Sequence, residues 1–197
     1  MSLELDRPGT VLLTGENGAG KTTLLKIIAT AQRPTLGSVE LFGLAARDHA
    51  FEVRSRIAVM THQAHLYFDL TARENLRLAA QLTGRSVSPI DELIRRVGLH
   101  GEGDRPVGKF SAGMKRRVTL ARLLLLMPQI ALLDEPFTQL DPDGVILMSE
   151  VIRELDASGC LTILATHDVE RGLALAAAHL KLDGGQALSL DEVRHDR

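Results

Sequence analysis

Gly15-Glu16-Asn17-Gly18-Ala19-Gly20-Lys21-Thr22 follows the apolar run Val11-Leu12-Leu13 and precedes Thr23-Leu24-Leu25-Lys26-Ile27-Ile28-Ala29, a stretch of helix formers without a breaker. A strand, a glycine-rich turn and a helix start, in that order, are what a phosphate-binding loop requires. Glycines let main-chain N–H groups curl around an anion because no Cβ blocks the approach. The unpaired N–H groups and positive dipole end of the following helix face the same phosphates. The pattern therefore assigns nucleotide contacts to Gly15, Glu16, Asn17, Gly18, Ala19, Gly20, Lys21, Thr22 and Thr23. Lys21 can reach the β- and γ-phosphates, and the Thr22 hydroxyl can ligate Mg²⁺.

Outward from this stretch, short apolar runs alternate with helical patterns. Strands are expected at Ser2–Leu5, where Leu3 and Leu5 alternate, at Val11–Thr14, Val39–Phe42, Ile57–Met60, Ile130–Leu133, Leu161–Ala165, His179–Leu182 and Gln186–Leu190. Between about residues 66 and 127 the texture turns helical, with Thr71 and Glu74 forming a capping box and further helices at Pro89–Val97 and Ser111–Leu126. Helices also follow at Asp141–Ala157 and Val169–Ala177. The expected fold is α/β: a mainly parallel sheet from about residues 1–65 and 128–197, with a helical lobe inserted at about 66–127.

Four of the apolar strands end in groups suited to phosphate chemistry. Asp134 and Glu135 follow Ile130-Ala131-Leu132-Leu133, and in open α/β sheets ligands bind at the carboxyl ends of strands. Asp134 can hold Mg²⁺ beside Thr22, and Glu135 can take a proton from the attacking water. Gln63 can hydrogen-bond a water or a metal ligand, and His167 can donate to a γ-phosphate oxygen. Ser111 caps a helix start rich in small residues, Ala112 and Gly113, that leaves N–H groups open to an anion; spacing alone does not separate this from a plain capped helix.

Composition narrows the classes. A net charge of -2 argues against a nucleic-acid binder held by bulk electrostatics. Aromatics are 3% of the residues, so aromatic stacking is a poor candidate for ligand binding. The single cysteine, Cys160, excludes an internal disulfide framework and reads as a small buried hydrophobe. No signal-peptide pattern opens the chain, and the apolar run Leu123–Met127 is too short to span a bilayer; a soluble cytoplasmic protein is expected.

Together these residues make the chain resemble the ATP-binding subunit of an ABC transporter over nearly its whole length. Gly15 to Thr22 match Walker A, Gln63 the Q-loop, Phe110-Ser111-Ala112-Gly113-Met114 the signature usually written L-S-G-G-Q, Ile130 to Asp134 Walker B, Gln139-Leu140-Asp141 the D-loop and His167 the H-switch. The resemblance implies a P-loop NTPase core and an ATPase that uses ATP and Mg²⁺. It implies Glu135 as catalytic glutamate, with His167, Lys21 and Gln63 also catalytic, metal contacts from Thr22, Gln63 and Asp134, and nucleotide contacts from Asp141. It further implies that two cassettes, in a homodimer or paired with another ABC ATPase subunit, sandwich two ATPs. Ser111 and Gly113 of one then bind the γ-phosphate held by the other. The partner it implies is a membrane-spanning permease subunit, not a nucleic acid, with docking beside Gln63 near Tyr67 and Phe68; the chain would sit peripherally on the inner face of the cell membrane. The N-terminal antiparallel β part is shortened relative to the family, and no Phe, Tyr or Trp precedes Phe42 to stack on adenine. That shortening would leave Leu3 and Leu5 on a raw sheet edge. Within the family, the short length, the Ser-Ala-Gly signature and Asp134-Glu135-Pro136-Phe137-Thr138 resemble the haem-exporter ATPases of cytochrome c maturation.

Overall fold

The computed structural model describes residues 2–193. Contacts divide the chain into two compact units: Met1–Thr61 with Pro128–Pro136 and Ile152–Arg197, and His62–Met127 with Phe137–Val151.

The first unit is built on a six-stranded sheet. In chain order its strands are β1 (Gly9–Thr14), β4 (Ile57–Met60), β5 (Ile130–Asp134), β6 (Leu161–Ala165), β7 (Ala178–Asp183) and β8 (Gln186–Glu192), and across the sheet they run β4-β5-β6-β1-β7-β8. All neighbours pair in parallel except β7 and β8. The central strands are covered on both faces, which is why Val11-Leu12-Leu13 and Ile130-Ala131-Leu132-Leu133 read as unbroken apolar runs. The register sets Leu13 and Asp134 both opposite Ala165. The residues that follow β1, β5 and β6 therefore leave the sheet at one edge. One face packs helix α1 (Lys21–Ile28) through Leu24, Leu25 and Ile28 into a cluster with Val11, Leu13, Leu132 and Leu180.

Ser2–Leu5 is not a strand. The segment before β1 is irregular, and Leu3 and Leu5 are half-buried against the core cluster. Their alternation places two side chains on the core, but no strand pairs with the segment, and the sheet's outer strand beyond β7 is β8. Among the described residues the outer strands of the sheet are β4 and β8, so Leu3 and Leu5 do not form the raw edge expected of them. The strand expected at Val39–Phe42 shortens to β2 (Glu40–Leu41), which pairs with β3 (Leu44–Ala45). Phe42 and Gly43, with φ of 58° and 74°, form the tight hairpin turn between them. The sequence patterns showed neither β3 nor the short helix α2 (Ala50–Arg54).

The second unit is helical. Helices α3 (Ala72–Thr83), α4 (Ile90–Arg96) and α5 (Ala112–Leu126) pack on one another through Leu76, Ala80, Ile94, Leu120 and Leu124. Thr71 and Glu74 close the capping box at α3, each side chain taking the other residue's N–H. Helix α6 (Pro142–Ala157) runs from this unit into the first, and α7 (Val169–Leu175) follows β6.

Candidate active site

The loop between β1 and α1 has a shape that demands glycine at two points. Gly15 has φ of 153°, and a Cβ there would meet the Leu182 carbonyl oxygen at 2.4 Å. Gly20 is left-handed with φ of 101° and begins α1 without a side-chain cap, so no side chain of its own covers the first N–H groups of the helix. Inside the loop Ala19 N–H donates to Glu16 O at 3.1 Å, and Gly185 N–H, in the turn between β7 and β8, braces Ala19 O at 3.0 Å. Lys21 Nζ folds onto the loop and donates to Gly15 O at 2.6 Å and Glu16 O at 3.1 Å. Asn17 and Gly18 are exposed at the loop tip, and Thr22 and Thr23 on the first turn of α1.

Beside the loop, Thr22 Oγ1 donates to Asp134 Oδ2 at 3.3 Å. A hydroxyl and a carboxylate facing each other at a strand end form the oxygen donor set that Mg²⁺ prefers. The residues present fit that ion: Thr22 and Asp134 would hold it, with the remaining positions left to phosphate oxygens and water. Among the described residues no group of three or more His, Cys, Asp or Glu makes a protein-only metal site.

Glu135 is the next residue and takes a left-handed backbone, φ 51°, with its N–H bonded to Ala165 O at 2.8 Å. A non-glycine residue there costs roughly 1–2 kcal/mol, so the surroundings must hold it. Thr166 Oγ1 donates to Glu135 Oε2 at 3.3 Å, and His167 Nε2 lies 3.7 Å from Oε1. Thr166 is buried, whereas the His167 side chain is 69% exposed and free to face a ligand. The hydroxyl of Thr166 also accepts from Asp168 N–H at 3.2 Å, and Asp168 in turn caps α7. The sequence patterns missed the contact of Thr166 with Glu135, because a threonine between an apolar run and a histidine reads as the strand's last residue.

In the helical unit, Ser111 is the N-cap of α5, its Oγ accepting from Met114 N–H at 3.2 Å. Gly113 lies so close to Gln139 that a Cβ would stand 3.1 Å from the Gln139 carbonyl oxygen. Asp141 Oδ1 accepts from Arg117 Nη2 at 2.7 Å and from Gly144 N–H at 3.0 Å. The Arg117 guanidinium and the Gly144 N–H hold its carboxyl below the usual aspartate range. Gln63 is exposed in the irregular segment after β4. Cys160 is buried at the start of β6, and burial pushes its thiol up to about 11, so it stays protonated and unreactive at neutral pH. No described helix is long and apolar enough to cross a membrane.

The family model described as ABC transporter matches residues 1–138. The chain is 39% identical over 156 residues to the bacitracin transport ATP-binding protein BcrA of Bacillus licheniformis, covering 79% of this chain and 51% of that protein. It is equally 39% identical over 163 residues to the cytochrome c biogenesis ATP-binding export protein CcmA of Methylococcus capsulatus, covering 81% of this chain and 79% of that one. The chain thus spans about half the length of the bacitracin relative and four-fifths of the other. A solved structure of an ATP-binding subunit of an ABC transporter superposes with a TM-score of 0.90 at 31% identity, covering 95% of this chain and 80% of that one. The glycine-shaped loop, the acids at the end of β5 and these likenesses agree: the chain belongs to the ABC transporter family, as an ATP-binding domain of its ABC ATPase type.

Proposed function

We propose that this chain hydrolyses ATP with Mg²⁺ and powers a membrane-spanning permease that is a separate subunit. The single observation that supports it most is the apposition of Thr22 and Asp134, with Glu135 next in sequence held by Thr166 and His167. The loop N–H groups of residues 15–22 bind the phosphates, and Lys21 turns from the loop carbonyls to the β- and γ-phosphate oxygens. Thr22 and Asp134 would hold Mg²⁺, which would supply positive charge against the phosphate oxygens. Glu135 orients the attacking water and accepts its proton. His167 donates to a γ-phosphate oxygen, and Gln63 would orient the same water or help hold the metal. Ser111 and Gly113 act on ATP held by a second cassette, so the working unit is a dimer, and Asp141 lies at that junction.

The docking reading beside Gln63 is supported by Tyr67 and Phe68, 61% and 55% exposed in a chain poor in aromatics. For the cargo, the equal 39% identities to a bacitracin and a cytochrome c biogenesis relative express no preference. The reading of export in cytochrome c maturation rests on the resemblance of Ser111-Ala112-Gly113 and Asp134-Glu135-Pro136-Phe137-Thr138 to the haem-exporter ATPases.

Glu135→Gln tests the mechanism. It keeps the side chain's size while removing the base, so ATP binding by calorimetry should persist while steady-state hydrolysis falls about 10²–10⁴-fold. Wild-type turnover in this variant would remove Glu135 from the reaction.

A further inference from the structure

Arg122 lies on the third turn of α5, half-buried, and spends both of its hydrogen bonds on main chain. Its Nη1 donates to His65 O at 2.9 Å and its Nη2 to Ala64 O at 3.3 Å. These are the two residues directly after Gln63. Burial pushes the guanidinium below the usual arginine range, with no carboxylate acting against that push. A cation drawn out of water without a counter-charge is an expensive way to hold a surface turn.

The turn it holds is itself strained. His65 has φ of 47°, a conformation that L-residues other than glycine rarely adopt. Such a residue persists where its surroundings over-determine it. Arg122 supplies that determination at the start of the segment, and Asn75 supplies it further on. Asn75 accepts from Tyr67 N–H at 2.8 Å and donates to Tyr67 O, Leu70 O and Thr71 O at 3.0, 3.3 and 2.9 Å. Residues 64–71 are thus an irregular stretch whose main chain is fastened to α5 at one end and to α3 at the other.

We propose that Arg122 is a positioning residue for Gln63: its forked grip on the carbonyls of Ala64 and His65 fixes the main chain immediately after Gln63 to α5, the helix that begins at Ser111. This rests on the role given to Gln63 above. A planar guanidinium can reach two carbonyls at once, and an ammonium on a flexible stem cannot do so in the same geometry. A shift of the Gln63 amide by about 1 Å is enough to cost on the order of 100-fold in rate. Because α5 also carries Ser111, any movement of that helix is delivered to Gln63 through the same two hydrogen bonds.

The test is steady-state ATP hydrolysis with a Mg²⁺ titration on the full chain, for wild type, Arg122→Ala, Arg122→Lys, Gln63→Ala and the double variant Arg122→Ala/Gln63→Ala. Arg122→Ala should lower kcat by about 10- to 100-fold and raise the Mg²⁺ concentration needed for half activation, while ATP affinity stays within about twofold. Arg122→Lys should fall between. The double variant should be no slower than Gln63→Ala, because a residue that acts through another contributes nothing once that other is gone. A generally loosened fold would lower the active fraction without moving the Mg²⁺ midpoint. If Arg122→Ala does not fold, Arg122→Lys carries the same cycle with Gln63→Ala. Additive slowing, or an unmoved Mg²⁺ midpoint, on a background where Gln63→Ala is slow overturns the inference alone. Wild-type turnover in Gln63→Ala removes the reading of Gln63 and the inference with it.

Discussion

The phosphate loop at residues 15–20 and the segment at residues 64–71 are both irregular connections, and they are held in opposite ways. The first takes its shape from what its residues lack. A Cβ on Gly15 would stand 2.4 Å from the Leu182 carbonyl oxygen, and Gly18 and Gly20 turn through left-handed angles. The second contains no glycine at all. Its conformation comes from two polar side chains outside it, Asn75 in the next helix and, far along the chain, Arg122, both reaching back to its carbonyls. A loop shaped by missing side chains announces itself locally in sequence; a loop shaped by distant ones does not.

The largest effect expected from breaking this contrast is at Gly15. In Gly15→Ala the added methyl cannot coexist with Leu182 O, so the loop must leave its place against β7. ATP affinity measured by calorimetric titration should fall on the order of 100-fold, as misplacement of binding groups by about an ångström does. Unchanged affinity would show that the loop's shape does not depend on this approach.

Next in size is Asn75→Ala. Asn75 is 5% exposed, and its removal orphans the Tyr67 N–H, whereas the carbonyls of Tyr67, Leu70 and Thr71 keep main-chain donors in the N–H groups of Leu70, Val107 and residue 75. Unsatisfied buried groups cost about 1–3 kcal/mol each where water cannot reach them. A loss of about 1–3 kcal/mol in denaturant unfolding is expected, with ATP affinity unchanged because the phosphate loop belongs to the other unit. A loss below about 0.5 kcal/mol, the ordinary surface value, would mean that water replaces the amide and that the segment is not clamped.

The same contrast explains what could be read before the structure. The strands β1, β5 and β6 were legible because burial on both faces leaves an unbroken apolar run, and their carboxyl ends carry the acids and histidine that a phosphate site needs. Ser2–Leu5 misled because alternation reports only which side chains face the core, not whether a neighbouring strand exists to pair with. Phe42-Gly43 was not recognised as a hairpin turn because the strands it joins are two residues each. Arg117 and Arg122 drew no reading from the sequence, because periodicity does not tell which cation turns inward to grip a carbonyl or Asp141. Thr166 was overlooked for the opposite reason, since its hydroxyl sits at the end of a run that looks wholly apolar.

The smallest expected effect compares two aspartates at the two ends of α6. At its start, the Asp141 carboxyl is held below the usual range, chiefly by Arg117 and then by Gly144 N–H. A depressed folded-state pKa contributes stability that is present above the unfolded value, about 4, and is lost as pH falls through the lower folded value. Near its end, Asp156 is half-buried, and burial raises its carboxyl although Thr10 Oγ1 donates to both carboxylate oxygens at 2.9 Å. A raised folded-state pKa for an acid does the reverse: the ionised form is penalised in the fold, so stability falls as pH rises from the unfolded value to the folded one. Asp141→Asn should therefore lower the melting temperature at pH 7 and have less effect near pH 3. Asp156→Asn, which keeps an acceptor for Thr10, should raise it relative to wild type at pH 7 and lose that advantage near pH 3. Melting curves of both variants across pH 3 to 7 check the signs. The two differences from wild type should move in opposite directions with pH; if they move together, burial at Asp156 is not what sets its charge, and the hydrogen bonds from Thr10 prevail over desolvation.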